Sequence, residues 1–580
     1  MTKNDIVLTR LIAGSLETIA LEMSATVTRT ARSPIFNEAH DFTTAIFDVT
    51  RNQSRLVAQA PGCTIQLYAI VAAVDSALKS FKHDLHPGDV IIASDPYDGG
   101  THIPDQVILT PLFIDREPIL IPAVRAHMGD VGGPVPGGYN PRARDIWQDG
   151  IIIPPLKIVE KGEKRRDIFD LIMANNRLPD WLEGDLDAMI GACKLAATRL
   201  EKVVHRYGVH VVRKSLQDAV SYTKRRMAAE IGSWKNGTFH AETYIDHDYL
   251  GNNDIPVRCT LTVQDSKLSI DFSHSAKQVD GFVNSPLANT ISFVFAAIAG
   301  CIDEDIPINE GLIENISVIA PLGSIVNPTM PAPVGNCTCI PGAEIAEVVL
   351  LALEQCAPKR VGMNSHKLPL AYSNGIDTDG KRWVNLNFFG YTGGAGAAYG
   401  TDGWGLYPPL MTGVILPSIE MTEMQYPTRI HQHEYISDFM GAGFWRGAPG
   451  VETRIEYLTT SHTNVMMAGA RHPTRGFCGG KDGAPNKIVL EIDRTNELEV
   501  QETVFDATMP PGGALHFWRG GGSGWGDPLE RPVSKVMEDL RDGYITVEGA
   551  LADYGVVVDC DQIVDEKLTN SERKRRKASH

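Results

Sequence analysis

From residue 5 to residue 33 apolar side chains recur every three or four positions (Ile6, Leu8, Leu11, Ile12, Leu16, Ile19, Leu21), the spacing of an amphipathic helix. The pattern then changes period. "DFTTAIFDVTRNQSRLVAQA" alternates apolar and polar residues on either side of Arg51-Asn52, which predicts a hairpin. "IQLYAIVAAVDSALKSF" returns to helical spacing. "GDVIIASDPYDGGTHIPDQVILTPLF" reads as strand, Gly-rich loop, strand, and "EPILIPAVRAHMGDVGGPVPGG" as a strand running into a Gly/Pro loop. Residues 180–230 are predicted helical and 236–275 stranded. Residues 343–357 are predicted as a helix, and 376–530, rich in Gly and aromatics, as largely β. Near the C-terminus, "VSKVMEDLRDGYITVEGALADYGVV" reads as helix, turn, helix, strand. The run "NSERKRRKASH" reads as a solvated, disordered end.

These changes of pattern give an α+β fold: a large multi-subdomain chain with mixed β-sheets and packed helices. The divisions fall at 1–235 (α+β), 236–340 (β-rich), 341–530 (Gly-rich α+β) and 531–580 (a helical segment and the basic tail). A length of 580 residues allows about three to four domain-sized units. At 43% hydrophobic and 22% charged the composition is that of a globular protein, not a disordered or fibrous one. The net charge of -17 repels phosphate backbones and argues against nucleic-acid binding. The nine cysteines are scattered without a CxxC, as expected of reduced thiols. No apolar run reaches the ~18 residues of a membrane span, and "ISFVFAAIAGCI" (291–302) reads as a buried helix. With no signal peptide recognised, a cytoplasmic protein is expected.

Three predicted strands begin or end at short segments holding His and Asp: "NEAHDF" with Glu38, His40 and Asp41; "SDPYDGGTHIPD" with Asp95, Asp98, His102 and Asp105; "RAHMGDVGG" with His127 and Asp130. Strand-end loops are where a rigid scaffold presents ligands. Two imidazoles with one or two carboxylates suit Zn²⁺, Mn²⁺ or Fe²⁺ better than Ca²⁺ or Cu⁺. The same residues could instead cap turns. "GGAGAAYG" (393–400) and "GAGFWRG" (441–447) miss the dinucleotide fingerprint by one residue, "GGGSGWGD" (520–527) reads as a tight loop, and no Walker-type motif occurs. "HQHE" (431–434) offers His431 and His433 either to a metal or to solvent. "KGEKRR" (161–166) marks an exposed turn.

Taken together, "DFTTAIFD", "DPYDGGTHIPD", "AHMGDVGG", "DIWQDGIIIPPLKI", "NNRLPDWLEGDLDAMI", "DIPINEGLI", "GAGFWRG", "GGGSGWGDPLERP" and "DGYITVEGALADYGV" resemble the hydantoinase B / 5-oxoprolinase B family. That family includes B-type subunits of N-methylhydantoinase and caprolactamase-type enzymes and the related subunits of acetone and acetophenone carboxylases. The resemblance implies one divalent metal, Zn or Mn, on Asp41, His102, Asp105 and His127. It also implies a separate A-type subunit that binds ATP and Mg and phosphorylates the substrate's carbonyl oxygen. The activated species then meets water in the amidases or CO₂ in the carboxylases. On this reading the chain is the B-type subunit of an ATP-dependent hydrolase of a cyclic amide (a lactam, hydantoin or 5-oxoproline analogue). A ketone carboxylase subunit and a non-catalytic scaffold are the alternatives. Asp130 is a candidate general base or orienter of an imidazole, or else a turn cap before Gly132-Gly133. Arg125 is expected either to meet phosphate or to form an outward ion pair. Two positions depart from the family pattern: Gln66 or its neighbours lie where many relatives carry a His, and Asp149 stands where Glu is commoner.

Overall fold

The structure is a computed structural model that describes residues 3–50, 53–82, 84–364, 366–405, 413–493, 495–559 and 561–578. The first helix, α1 (Lys3–Thr30), stops short of the expected 33. Pro34 accounts for this, because the residue before a proline is driven out of the helical region, and Ser33 is extended (φ −76°, ψ 145°). The stripe that α1 buries is Ile12, Leu16, Ile19, Met23 and Val27, whereas Ile6, Leu11 and Leu21 are about half exposed.

Eight strands of the N-terminal part form one antiparallel sheet: β1 (Phe42–Thr50), β2 (Gln53–Gln59), β3 (Val90–Ala93), β4 (Asp105–Leu109), β5 (Leu112–Ile114), β6 (Glu117–His127), β7 (Leu156–Glu160) and β8 (Glu163–Lys164). Their order is β2-β1-β6-β4-β3-β7-β8, with β5 on β6. The Arg51-Asn52 turn of the first hairpin lies outside the described residues. Alternation along the strands separates two faces. Ile46, Ile92, Ile108 and Val124 face the main core beneath α1 and the helix Pro179–Tyr207. Phe47, Ile91, Val107 and Ile121 pack on the other side with Ile70, Ala73, Val74 and Ala77 of the helix Ala69–Ser80. The helix expected over 65–81 breaks at Tyr68 into Thr64–Leu67 and Ala69–Ser80.

Register decides where chemistry can occur. β6 is antiparallel to both β1 and β4, with Phe42 opposite Ala126 and Asp105 opposite His127. The starts of β1 and β4 and the end of β6 therefore meet at one end of the sheet.

Beyond it, strands Gly237–His247, Asn253–Gln264 and Lys267–Asp271 form a sheet joined in parallel by Ile316–Ile319. Helices Leu287–Ala299 and Gly342–Glu354 are buried against each other, as the apolar runs predict. Residues 370–519 build a four-stranded and a five-stranded sheet. "HQHE" lies on the strand Thr428–Tyr435, where His431 pairs with Glu456 and His433 with the Thr453 hydroxyl, each on the neighbouring strand Val451–Tyr457.

The three Gly-rich segments interlock backbone to backbone. A Cβ on Gly447 would lie 1.9 Å from the Gly522 carbonyl oxygen, and one on Gly522 would lie 1.9 Å from that of Ala395. Their glycines are required by this close approach.

The basic tail departs from expectation. Glu566–Lys577 is a helix capped by Asp565, whose carboxylate accepts from the Leu568 N–H. Arg573 and Arg576 donate to the carbonyls of Tyr554 and Ala552. A charge run read as solvated is thus consumed in docking a helix. Before it, the expected strand at 555–557 is reduced to a single bridge between Val558 and Val564.

Candidate metal centre

The sheet end delivers three side chains to one point. Asp105 opens β4 and His127 closes β6, directly opposite each other. His102 sits one tight turn before Asp105, whose N–H donates to the His102 carbonyl. His102 Nε2 lies 3.0 Å from Asp105 Oδ1, and His127 Nδ1 lies 3.3 Å from the same oxygen and 3.2 Å from His102 Nε2. All three residues are buried, at 0%, 1% and 4% exposure.

These edges suit an ion. Ligands ~2.0–2.1 Å from a tetrahedral Zn²⁺ are ~3.3 Å apart. The proton inventory points the same way. His102 Nδ1 donates to the Gly335 carbonyl at 3.0 Å. In neutral His102, Nε2 is then a lone pair aimed at a carboxylate oxygen and at another imidazole nitrogen. Such a set is completed by a proton or a cation.

Asp41, just before β1, lines the same cavity but stands outside the close trio. Gln66 Nε2 donates to its Oδ1 at 2.9 Å, so the position flagged as a departure touches a proposed ligand. Burial raises the Asp41 pKa against the opposing pull of His127. Burial acts in the same sense on Asp105, but His102, His127 and Arg125 outweigh it and hold that carboxylate well below its usual range. His127 is raised: burial disfavours its charge, yet Asp105 and Asp41 prevail.

Arg125 is fully buried and does not form an outward ion pair. Its guanidinium donates to Thr101 Oγ1 and lies 3.4 Å from Asp105 Oδ2, and Thr101 donates to that same oxygen at 2.6 Å. One oxygen of Asp105 is thereby occupied and the other is left for the histidines. Tyr139 stacks on His127 with ring centroids 5.9 Å apart. Ile65, Leu386, Phe388 and Tyr391 complete an apolar wall around about 20 Å³ of free space, room for an ion or one water.

Asp130 is placed elsewhere. Its carboxylate accepts from the Gly137 N–H at 2.8 Å, the Arg177 N–H at 2.8 Å and the Arg177 guanidinium at 3.0 Å. It holds the loop after β6 to the segment before the helix Pro179–Tyr207, and these contacts give no support to a role as base or imidazole orienter. Asp95 caps its own turn through the Tyr97 N–H.

A family model described as hydantoinase B/oxoprolinase matches residues 5–528. The chain belongs to that family. Its relatives include the caprolactamase beta subunit of Pseudomonas jessenii, 32% identical across 97% of this chain and 98% of that protein. The B-type subunit of a putative D-/L-hydantoinase of Pseudomonas sp. (strain NS671) is 28% identical across 99% of each. The crystal structure of ATP-dependent caprolactamase from P. jessenii superposes with a TM-score of 0.92 at 32% identity, over 99% of this chain and 100% of that one. Nucleotide-free acetone carboxylase superposes with a TM-score of 0.90 over 99% of this chain and 83% of that one, at 18% identity, a likeness of fold. The α+β, multi-sheet architecture is thus that of this family, and among the described residues no helix is long and apolar enough to cross a membrane.

Gly335 escaped the sequence reading. Its contribution is a backbone carbonyl 233 positions from His102, and no side-chain pattern signals that.

Proposed function

We propose that this chain is the B-type subunit of an ATP-dependent amidohydrolase, opening a cyclic amide whose carbonyl oxygen has been phosphorylated by an A-type partner. The observation that carries the reading is the trio His102, Asp105 and His127, with edges of 3.0–3.3 Å at a buried sheet end. The relatives named as the caprolactamase beta and hydantoinase B-type subunits supply the substrate class.

A divalent Zn or Mn ion bound there supplies Lewis acidity and a water acidified towards neutrality. The protein's own part is positional. His102 Nε2, Asp105 Oδ1 and His127 Nδ1 would hold the ion, and Asp41, which lines the same cavity and accepts from Gln66, would complete the set. His102, His127 and Arg125 favour the ionised Asp105, and Thr101 and Arg125 hold its Oδ2 so that Oδ1 is turned towards the histidines. Tyr139, Phe388 and Tyr391 line the site and would keep bulk water away from it. The family's ATP work is assigned to the partner because this sequence has no Walker motif and its glycine segments are filled by backbone. We place the complex in the cytoplasm.

The test combines both purified subunits with ATP and either lactams and hydantoins or ketones plus bicarbonate, with ADP and organic product measured together. Ring opening with stoichiometric ADP is expected. Carboxylation of a ketone without amide hydrolysis would replace this reading by the carboxylase one.

A further inference from the structure

Between the middle sheet and the metal-bearing end runs the segment Ala332–Asn336, and every residue of it is gripped. The Tyr97 hydroxyl donates to the Ala332 carbonyl at 2.6 Å and the Asn284 amide to that of Pro333 at 3.1 Å. The Val334 N–H donates to Asp149 Oδ2 at 2.8 Å. The Gly335 carbonyl accepts from His102, and the Asn336 N–H donates to the Phe282 carbonyl at 3.1 Å. Asp149 is the one carboxyl in this set. It is fully buried, and its Oδ1 has no hydrogen-bond partner among the described residues. A Cβ on Gly335 would sit 3.0 Å from that oxygen and 3.2 Å from the Phe282 ring, so the peptide lies flat against the carboxyl.

We infer that Asp149 is a positioning residue for the metal centre: by clamping the Val334–Gly335 peptide it aims the Gly335 carbonyl at His102 Nδ1 and thereby selects the tautomer that offers Nε2 to the ion. The inference rests on the metal site proposed above. Which nitrogen of an imidazole binds metal is set by the partner of the other nitrogen. Here that partner is a backbone carbonyl that accepts only, so the proton on Nδ1 is obligatory while the clamp holds. Asp149 touches none of the proposed ligands and acts only through the peptide. Burial pushes its carboxyl up to about 8, so near neutral pH it is largely uncharged. An asparagine of the same shape then reproduces the acceptor for the Val334 N–H.

The test uses the full chain, with Zn²⁺ and Mn²⁺ affinities measured at pH 7 by chelator competition. It adds ¹⁵N-histidine NMR of the metal-free protein, the His102 signals being assigned by their loss in His102→Ala. Asp149→Ala is expected to weaken metal binding 10- to 100-fold and to convert His102 from a single Nδ1–H tautomer to a mixture. Asp149→Asn is expected to stay near wild type in both. Unchanged affinity and tautomer in folded Asp149→Ala would overturn the inference, as would equal loss in the Ala and Asn variants. If Asp149→Ala does not fold, Gly335→Ala displaces the same carbonyl and carries the same expectation and the same refutation. If wild type binds neither ion, the metal reading fails, and the tautomer measurement still decides the clamp.

Discussion

Two regions of this chain carry motifs that attract attention for opposite reasons. The His/Asp segments at the end of the N-terminal sheet are short and weakly patterned. The glycine segments of the C-terminal half are conspicuous and close to a nucleotide fingerprint. In the structure the weak pattern converges: three side-chain atoms that could hold a metal meet at one point. The conspicuous pattern is consumed, its glycines pressed against carbonyls of neighbouring segments. The difference lies in what remains unspent. A lone pair aimed at another lone pair asks for a ligand, whereas a glycine filled by backbone asks for nothing.

The sharpest way to break this comparison is to remove one ligand from the first region. His102→Ala is expected to lose the bound ion and to lower product formation in the reconstituted complex by more than ~10³-fold. Substrate-dependent ADP release is expected to persist if, as proposed above, phosphorylation belongs to the partner. Metal analysis and parallel ADP and product assays check this. Equal metal content in wild type and variant would return His102 to a structural role.

The matching change in the second region is Gly447→Ala. It adds one carbon where the Gly522 carbonyl oxygen stands 1.9 Å away, and backbone on both sides cannot yield. A loss of about 3 kcal/mol or more is expected, read as a lower denaturation midpoint or insoluble protein. Folded Gly447→Ala with wild-type stability and ATP binding by the isolated chain would reverse the assignment of these segments.

What the sequence made legible follows from the same contrast. Period and alternation located α1, the strands β1 to β4 and β6 of the first sheet and the buried helix near 291–302, because each rests on a local pattern of burial, whereas β7 and β8 were not marked. The candidate ligands were legible because His and Asp at strand ends are side-chain chemistry. Three things were not. The engagement of the Asp130 carboxylate depends on Arg177, 47 residues away. The brace on His102 is a carbonyl. The docking of the tail depends on carbonyls left open at 552 and 554, which no charge pattern reveals.

A third measurement compares two carboxyls, the buried Asp105 and the partly buried Glu310. Asp105 is driven down by its cationic neighbours, whereas Glu310, whose carboxylate accepts from the Leu56 N–H, is driven up to about 7 by burial. A folded-state pKa above the unfolded ~4.3 means stability that is full below pH ~4.3 and is lost as pH rises to about 7. Glu310→Gln removes that dependence. It is expected to be more stable than wild type at pH 8 by about 2 kcal/mol and to show no gain at pH 4. Urea denaturation at the two pH values checks it, and an equal effect at both would show that Glu310 is ionised and paired in the fold.

The smallest expected effect concerns the tail helix, where polar groups are spent as the glycines are. Arg573 Nε donates to the Tyr554 carbonyl and its second nitrogen to the Arg531 carbonyl, each at 2.9 Å. Both acceptors are chain ends in effect: Tyr554 closes the preceding helix, and Arg531 lies just before Val533–Arg541. Removing the guanidinium leaves two carbonyls that water reaches only in part, and ~1 kcal/mol of destabilisation is expected for Arg573→Ala. Arg575, two residues on, is exposed and pairs with Glu572 of its own helix. Arg575→Ala is therefore expected to leave the melting temperature unchanged. Thermal denaturation of the two variants beside wild type separates a docked helix from a solvated one. If both are indistinguishable from wild type, the run 570–577 contributes nothing to the fold and the solvated reading of the tail is restored.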